Sequence, residues 1–184
     1  MNYIRKIFKM KTIALIPARL ESERFPNKLI KRLDGVPIIV RTYLAALNSK
    51  LFDQVYVVSG NDEIIDLIKS KDGLIFKSRK IHQSGTDRIA EAAKEIDHDI
   101  VVNLQGDEPF INIDAIDSLI TSFEDNSVKM ASLMTSFNSF NEIKNPNNVK
   151  VTVDKNNNAI FFSRSPIPEG ENEIKKFNRH IGVY

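Results

Sequence analysis

The sequence predicts an α/β fold, a three-layer sandwich built around a mostly parallel sheet. Short apolar runs, which are typical of buried strands, alternate along the chain with segments whose apolar residues recur at helical spacing. Such alternation favours parallel strands joined by helices that cover the sheet. A chain of 184 residues is long enough for one domain with a full core.

Apolar runs predict four strands in the first part of the chain, at residues 12–16, 54–59, 74–76 and 99–104. Helical spacing predicts helices at about 37–49, from Asp62, from Thr86 or Asp87, and at about 112–124. The polar segment 18–35 is expected to be a long loop.

The last third of the chain carries different signals. Residues 130–135 are predicted to form a strand, and 149–153 and 159–163 flank an Asn-rich turn, which is typical of a β-hairpin. A further strand is expected to begin at His180. The Asn-rich stretches 138–148 and 154–158 are interpreted as surface loops.

Composition narrows the class of function. The net charge is +2, but the first ten residues carry three basic residues and no acid, so the rest of the chain is close to neutral. Charge therefore indicates neither a nucleic-acid nor a membrane partner. Residues 1–10 are expected to be a disordered leader, unless Met10 is the true start. The domain is expected to span residues 11–184. The absence of cysteine excludes thiolate chemistry and fits a cytoplasmic location.

The loop after the first strand, residues 17–28, reads PARLESERFPNK. It places Arg19, Arg24 and Lys28 within ten residues at the carboxyl end of a strand. Arginine forks and a lysine ammonium suit the negative charge of a triphosphate. A solvated basic loop explains the same spacing equally well.

Two other polar segments also precede or follow predicted elements. Residues 82–88, HQSGTDR, enter a helix, where Ser84 or Thr86 either caps the helix or hydrogen-bonds the edge of a base. Residues 105–109, QGDEP, follow the clearest strand. Asp107 there either binds Mg²⁺, which prefers carboxylate and phosphate oxygens, or belongs to a turn that caps the next helix.

Taken in order, these segments resemble the 3-deoxy-manno-octulosonate (Kdo) cytidylyltransferase family. Six blocks within residues 11–184 carry the resemblance: LIPARLESERFPNK, HQSGTDR, VNLQGDEP, NPNNVKV, FSRSPIP and RHIGVY. The resemblance implies a nucleotide-diphospho-sugar transferase fold. It also implies transfer of CMP from CTP to the anomeric hydroxyl of Kdo, with Mg²⁺ as cofactor and a homodimer in the full-length form.

The resemblance also assigns residues to roles. Ala18, Arg19, Ser22, Arg24 and Lys28 are expected to line the phosphate loop, and Gln83, Ser84, Gly85 and Thr86 to contact cytidine. Asp107 is expected to bind the metal. Gln105, Arg164, His180 and Tyr184 are expected to hold the sugar acid. Arg19, Lys28 and Asp107 are the expected catalytic residues.

The sequence departs from the family pattern at a few positions. Asn27 stands where the family usually has Gly, Leu29 where it usually has Pro, and Asp87 where Glu is commoner. Family members also continue beyond the position of Tyr184 with a second metal-binding Asp. The resemblance therefore implies a fragment or a short member that binds Mg–CTP but makes little product.

Two other interpretations remain open at this stage. One is a cytidylyltransferase for another acidic acceptor, such as an amino-Kdo, a sialic-type sugar or a phosphonate. The absence of R-x-x-S-K-G from the first loop argues against the sialate branch. The other is a truncated, non-catalytic nucleotide-binding module.

Overall fold

A computed structural model describes residues 10–21, 25–167 and 177–184. The chain divides into two compact units, residues 1–124 and 125–184. Of the predicted leader, only Met10 lies within the described residues. Ser22 and Arg24 of the predicted phosphate loop lie outside them.

The described residues form ten strands and five α-helices. The strands are β1 (Thr12–Ala18), β2 (Arg32–Leu33), β3 (Val36–Pro37), β4 (Gln54–Ser59), β5 (Leu74–Lys77), β6 (Ile100–Asn103), β7 (Leu133–Ser136), β8 (Lys150–Val153), β9 (Ala159–Ser163) and β10 (Asn178–Ile181). The helices are α1 (Ile38–Ser49), α2 (Asp62–Lys69), α3 (Gly85–Ala93), α4 (Ile113–Thr121) and α5 (Phe140–Lys144).

The first unit is built on a four-stranded sheet in the order β5-β4-β1-β6. All three pairings are parallel, and Leu15 of β1 lies level with Tyr56 of β4 and Asn103 of β6. The α/β class with a parallel central sheet is thus confirmed. Because parallel strands end at the same edge, the loops after β1, β4 and β6 leave the sheet together.

Side chains of β1 alternate between two apolar layers. Ile13 and Leu15 form a buried cluster with Ile89 and Ala92 of α3. Ala14 and Ile16, which point to the opposite face, are also fully buried. The helices α1 and α2 pack against β4 and against each other. Burial on both faces explains why β1 is an almost continuous apolar run.

The second unit is built on an antiparallel sheet in the order β7-β10-β8-β9. The predicted hairpin is confirmed as β8 and β9, which pair antiparallel with an irregularity at Thr152/Val153. The predicted strands near 130–135 and 180–184 correspond to β7 and β10. A separate small core consists of Phe137, Ile143 and Phe177.

Three local predictions were wrong. The Asn-rich stretch 138–148 contains α5, which begins after Ser139, whose hydroxyl accepts a hydrogen bond from the Glu142 N–H. The predicted loop 18–35 contains a 3-10 helix (Lys28–Ile30) and the first strand of the β2–β3 hairpin. Asp34 and Gly35, at φ 46° and 76°, form its turn, and Asp-Gly is a strong hairpin signal. The helix predicted to 124 ends at Thr121 and continues as a 3-10 turn.

Candidate active site

The loops after β1 and β6 begin in direct contact. The Leu104 N–H donates to the Leu15 carbonyl at 3.1 Å, which extends the pairing beyond the end of β6. At Gly106 an added Cβ would lie 3.2 Å from the Pro17 carbonyl oxygen and 3.2 Å from Ile39 Cδ1. Glycine therefore lets the QGD turn pass close to the first loop.

A buried hydroxyl fixes the carbonyl that precedes Asp107. Thr42 of α1 is completely buried, and its Oγ1 lies 2.9 Å from the Gly106 carbonyl oxygen and 3.2 Å from that of Ile38. The hydrogen bond to Gly106 joins α1 to the QGD turn. It thereby restricts the backbone from which the Asp107 carboxylate extends.

Lys28 and Asp107, which are 79 positions apart in sequence, form an ion pair at this edge of the sheet. Lys28 Nζ and Asp107 Oδ2 are 2.5 Å apart, and each side chain is 39% exposed. Pairs this exposed contribute little to stability. Their placement instead leaves an ammonium and a carboxylate side by side and accessible to a charged ligand.

Polar contacts hold the described parts of the first loop, residues 18–21 and 25–28. The Leu20 N–H donates to Asn61 Oδ1 at 3.3 Å, and the Asn27 N–H donates to the Leu20 carbonyl at 3.1 Å. Asn27 has φ 58° and ψ 25°, the left-handed conformation. Asparagine adopts this conformation more readily than other non-glycine residues, which explains how it can replace the family's glycine.

Charges along the same loop favour an ionised Glu21. A hydrogen bond from its own backbone N–H lowers the pKa of Glu21, and the Asn61 amide and the charges of Arg88 and Arg19 act in the same direction. The Arg19 side chain itself is exposed. It remains available to a ligand at the carboxyl edge.

The start of α3 packs against the first loop. Arg88, 9% exposed, donates from Nη1 to the Ala18 carbonyl at 2.9 Å. Burial lowers the pKa of its guanidinium, although arginine keeps its charge in proteins. An added Cβ on Gly85 would lie 3.2 Å from Pro17 Cγ. The segments PAR, QGD and SGT therefore meet around Pro17.

Ser84 caps α3, as one of the two sequence interpretations predicted. Its hydroxyl oxygen accepts from the Asp87 N–H at 3.1 Å and donates to Asp87 Oδ2 at 2.7 Å. Asp87, at a position where the family more often has Glu, thus accepts the hydrogen bond of the Ser84 hydroxyl. All four residues of 83–86 are exposed. A cap and a ligand-facing turn are therefore compatible in this segment.

A buried amide lies beneath this edge. Asn103, the last residue of β6, is 2% exposed. Neither its Oδ1 nor its Nδ2 has a hydrogen-bond partner among the described residues. Because side chains alternate along a strand, Asn103 lies on the same face of β6 as Val101. Val101 packs against the buried cluster between β1 and α3. An unpaired buried amide is costly, and the sequence motifs did not indicate one at Asn103.

In the second unit, Lys150 determines where Arg164 lies. Lys150 is 2% exposed, and its Nζ donates to the carbonyls of Asn145, Asn148 and Arg164 at 3.0, 3.0 and 2.7 Å. Burial lowers the pKa of its ammonium. The exposed Arg164 side chain donates from Nη1 to the Pro146 carbonyl at 2.8 Å. Lys150 of the NPNNVKV segment thus fixes the backbone at Arg164 of the FSRSPIP segment.

His180 of β10 lies against Ser132 and Phe162. Its Nε2 is 2.7 Å from Ser132 Oγ, and its ring packs edge-on against Phe162 with centroids 4.9 Å apart. Ser132 Oγ also reaches the Val183 carbonyl at 3.1 Å, which can only accept. This geometry favours a proton on Nε2 and leaves Nδ1 as an acceptor. Burial lowers the pKa of His180.

The structure places the two remaining predicted sugar residues without assigning them a ligand. Gln105 is half-buried directly before Gly106 in the first unit, and Tyr184 is half-buried at the end of the second unit. Their assignments stay predictions, as do those of Arg164 and His180.

The described residues contain no cluster of three or more His, Cys, Asp or Glu side chains that could hold a metal. Mg²⁺ commonly binds through one or two carboxylates together with oxygens from a ligand, and Asp107 is the carboxylate for which the sequence predicts this role. Within the part of the chain that the structure describes, no helix has the length and apolar character needed to cross a membrane.

A family model described as cytidylyltransferase matches residues 13–184. A protein of Flavobacterium johnsoniae named 3-deoxy-manno-octulosonate cytidylyltransferase is 48% identical over 180 residues, which are 95% of this chain and 74% of that protein. The chain belongs to the 3-deoxy-manno-octulosonate cytidylyltransferase family. A protein of the same name from Christiangramia forsetii is 45% identical over 96% of this chain and 73% of its own length.

Solved structures agree with this family. A CMP:2-keto-3-deoxy-manno-octonic acid synthetase complexed with CTP superposes with a TM-score of 0.86 at 34% identity, covering 94% of this chain and 72% of that one. A cytidylyltransferase from Leptospira borgpetersenii gives a TM-score of 0.59 at 27% identity, over 71% of this chain and 56% of that one. The nucleotide-diphospho-sugar transferase type of fold is thereby supported.

The charge state of His180 provides the first testable prediction. Because burial disfavours the imidazolium, His180 should titrate below its ordinary pKa of 6.5 and carry its proton on Nε2 at neutral pH. The unfolded chain then takes up this proton first as the pH falls below 6.5, so His180 should lower the stability in that window. Imidazole ¹⁵N chemical shifts measured against pH test the pKa and the tautomer of His180.

Ser132→Ala is the matched control, because it removes the hydroxyl without touching the ring. It should weaken the preference for the Nε2 tautomer. A pKa at or above 6.5, or a proton mainly on Nδ1 in the unmodified protein, would contradict the assignment.

Proposed function

We propose that the protein transfers CMP from CTP to the anomeric hydroxyl of Kdo and releases pyrophosphate. The observation that carries the proposal is the meeting of Lys28 and Asp107 at the carboxyl edge of the sheet. Both lie in motifs that the chain shares with its family. The synthetase complexed with CTP, which covers 94% of this chain, supports CTP as the nucleotide.

The phosphate loop is the part of the site that holds the triphosphate. Arg19 and Lys28 supply charge there, with Ser22 and Arg24 expected to add contacts. Charge-assisted hydrogen bonds to phosphate are among the strongest that a protein forms. In the structure Lys28 contacts Asp107, so we propose that bound phosphate shares or replaces this contact.

Magnesium is part of the proposal through Asp107. The carboxylate is partly exposed, follows a strand end and adjoins the phosphate loop, so it fits a cation held jointly by one protein carboxylate and phosphate oxygens. When bound, the cation supplies neutralisation of charge on the leaving phosphates. Lys28 and Arg19 add to that neutralisation from the protein side.

Cytidine recognition is assigned to the turn before α3. Gln83, Ser84, Gly85 and Thr86 are exposed and adjoin Pro17 of the phosphate loop through Gly85. Amide and hydroxyl groups at such a turn can match the donors and acceptors of cytosine. Uracil would leave some of these groups unpaired, which is costly in a closed site.

Within the second unit, Arg164, His180 and Tyr184 are proposed to contact the sugar acid. The Arg164 guanidinium suits a carboxylate. The acceptor nitrogen proposed for neutral His180 suits a sugar hydroxyl. A related acidic acceptor would use the same chemistry, so the choice of Kdo as the acceptor rests on the names of the relatives.

In the proposed reaction the anomeric oxygen forms a bond to the α-phosphorus as the bond from that phosphorus to the β-phosphate oxygen breaks. The hydroxyl proton leaves to solvent, and pyrophosphate takes the bonding electrons. Catalysis then consists mainly of in-line positioning and charge neutralisation. Lys28 and Arg19 hold the leaving group, while Thr42 and Gly106 hold the backbone of Asp107.

A homodimer and a cytoplasmic location complete the proposal. Support for a dimer comes from the edge strand β9, where Ile160, Phe161 and Phe162 are 68%, 55% and 47% exposed. A second copy could cover these apolar side chains. The cytoplasm is compatible with a sequence without cysteine.

The phosphate assignment predicts a selective effect of Lys28→Ala. CTP affinity should fall roughly ten- to a hundredfold, since a charged hydrogen bond is worth about 1.5–3 kcal/mol. CMP affinity should hardly change, because CMP lacks the outer phosphates. Calorimetric titration of both ligands measures the difference, with exposed Lys31→Ala as the control. Equal losses for CTP and CMP would show that Lys28 does not contact the outer phosphates.

The reaction itself is tested by pyrophosphate release with CTP, Mg²⁺ and Kdo, using protein expressed from its complete reading frame. Asp107→Asn should reduce turnover by roughly two orders of magnitude or more, with an unchanged unfolding transition. Exposed Asp117→Asn is the control and should retain turnover. Full activity of Asp107→Asn would remove the metal assignment, and turnover only with another acidic acceptor would reassign the sugar.

A further inference from the structure

A mostly buried carboxylate holds the segment that precedes residues 83–86, the turn proposed to contact cytidine. Glu91, on the second turn of α3, accepts from Ser78 Oγ at 2.6 Å and lies 2.7 Å from His82 Nε2 through the same oxygen, Oε2. Its other oxygen, Oε1, accepts from the Arg79 N–H at 3.2 Å. The His82 and Glu91 side chains are only 11% and 12% exposed.

These contacts fix the segment between β5 and α3 along its length. At its start, the Ser78 N–H donates to the Ser59 carbonyl at 2.9 Å. At its end, Ser84 caps α3. Between them, Glu91 holds Ser78, Arg79 and His82 against the helix, while Ile81 and Gln83 face outward. The segment thus has a buried side bound to one carboxylate and an exposed side.

The carboxylate suits this role because it only accepts hydrogen bonds. The Ser78 hydrogen bond is the main cause that lowers the pKa of Glu91 to about 2, followed by the bond with His82. Glu91 is therefore ionised at neutral pH. A glutamine of the same shape has one acceptor oxygen and presents an NH₂ group to at least one of the donors.

We propose that Glu91 is a positioning residue for base selection: by holding residues 78–82, it presents Gln83–Thr86 to the cytosine edge. This inference rests on the proposed function, which assigns residues 83–86 to cytidine. Glu91 itself lies behind the turn and acts only through it. The phosphate loop has its own support at Asn61, which accepts from the Leu20 N–H, and Thr42 holds the turn that carries Asp107. Loss of Glu91 should therefore affect base recognition and leave phosphate binding intact.

The turn selects cytosine over uracil only if uracil leaves some of its polar groups without a hydrogen-bond partner, which costs affinity. A loosened turn can rearrange to pair with either base, and small misplacements already have large effects. Glu91→Gln should therefore weaken CTP binding roughly tenfold. It should reduce the preference for CTP over UTP by a similar factor, and kcat at saturating CTP should change little.

The experiment compares dissociation constants of CTP, UTP and inorganic tripolyphosphate for the unmodified protein and the variants. Tripolyphosphate lacks a base and reports on the phosphate loop alone. Glu91→Gln should lose CTP affinity and base preference while it keeps tripolyphosphate affinity. Ser78→Ala, which removes one of the three donors, should show the same pattern more weakly.

Glu95→Gln is the matched control. Glu95 lies on the turn after Glu91, and its carboxylate is 3.6 Å from the Arg79 guanidinium, at the surface. It should leave all three affinities unchanged. An unaltered CTP-to-UTP ratio in Glu91→Gln would overturn the positioning role, as would equal losses of CTP and tripolyphosphate affinity, which indicate general destabilisation. Absence of CTP preference in the unmodified protein would instead overturn the cytidine assignment itself.

Discussion

β1 lies between two parallel neighbours and beneath helices on both faces, and residues 12–16 are almost completely buried. Such a strand can pair only in one register, because each of its side chains must enter a packed apolar layer. The register places the ends of β1 and β6 together, with Leu104 bonded to Leu15. The phosphate loop and Asp107, which are assigned to the triphosphate and the cation, follow directly from where these two strands end.

Close packing at Pro17 turns this edge into a site. Gly106 and Gly85 both approach Pro17 so closely that a side chain at either position would crowd it. The resulting floor is closely packed, and hydroxyl, carboxylate and guanidinium groups from α1 and α3 fix the loops above it. Charged groups held this way need little reorganisation when a charged ligand binds, which is the physical basis of electrostatic catalysis.

The strands of the sheet and the helix positions were predictable because burial imposes a pattern on the sequence. The pairing of Lys28 with Asp107 was indicated only indirectly, since both follow strands of one parallel sheet. Thr42 and Arg88 were missed because their partners are backbone carbonyls far away in the sequence. Glu91 was missed because its partners lie in the irregular segment before α3, where contacts leave no periodic signal. Two local signals were overlooked. The N-cap Ser139 of α5 lies in an Asn-rich stretch that was interpreted as a loop, and the Asp34–Gly35 turn lies in a segment that was interpreted as one long loop.

A crystal structure of the protein with CTP and Mg²⁺ is the decisive measurement for this site. We expect the outer phosphates within hydrogen-bond distance of Lys28 Nζ, the cation on the Asp107 carboxylate, and cytosine against residues 83–86. The present contact between Lys28 and Asp107 should then be shared with phosphate or replaced by it. A triphosphate bound elsewhere, with that ion pair unchanged, would rule out Lys28 and Asp107 as the phosphate and cation site.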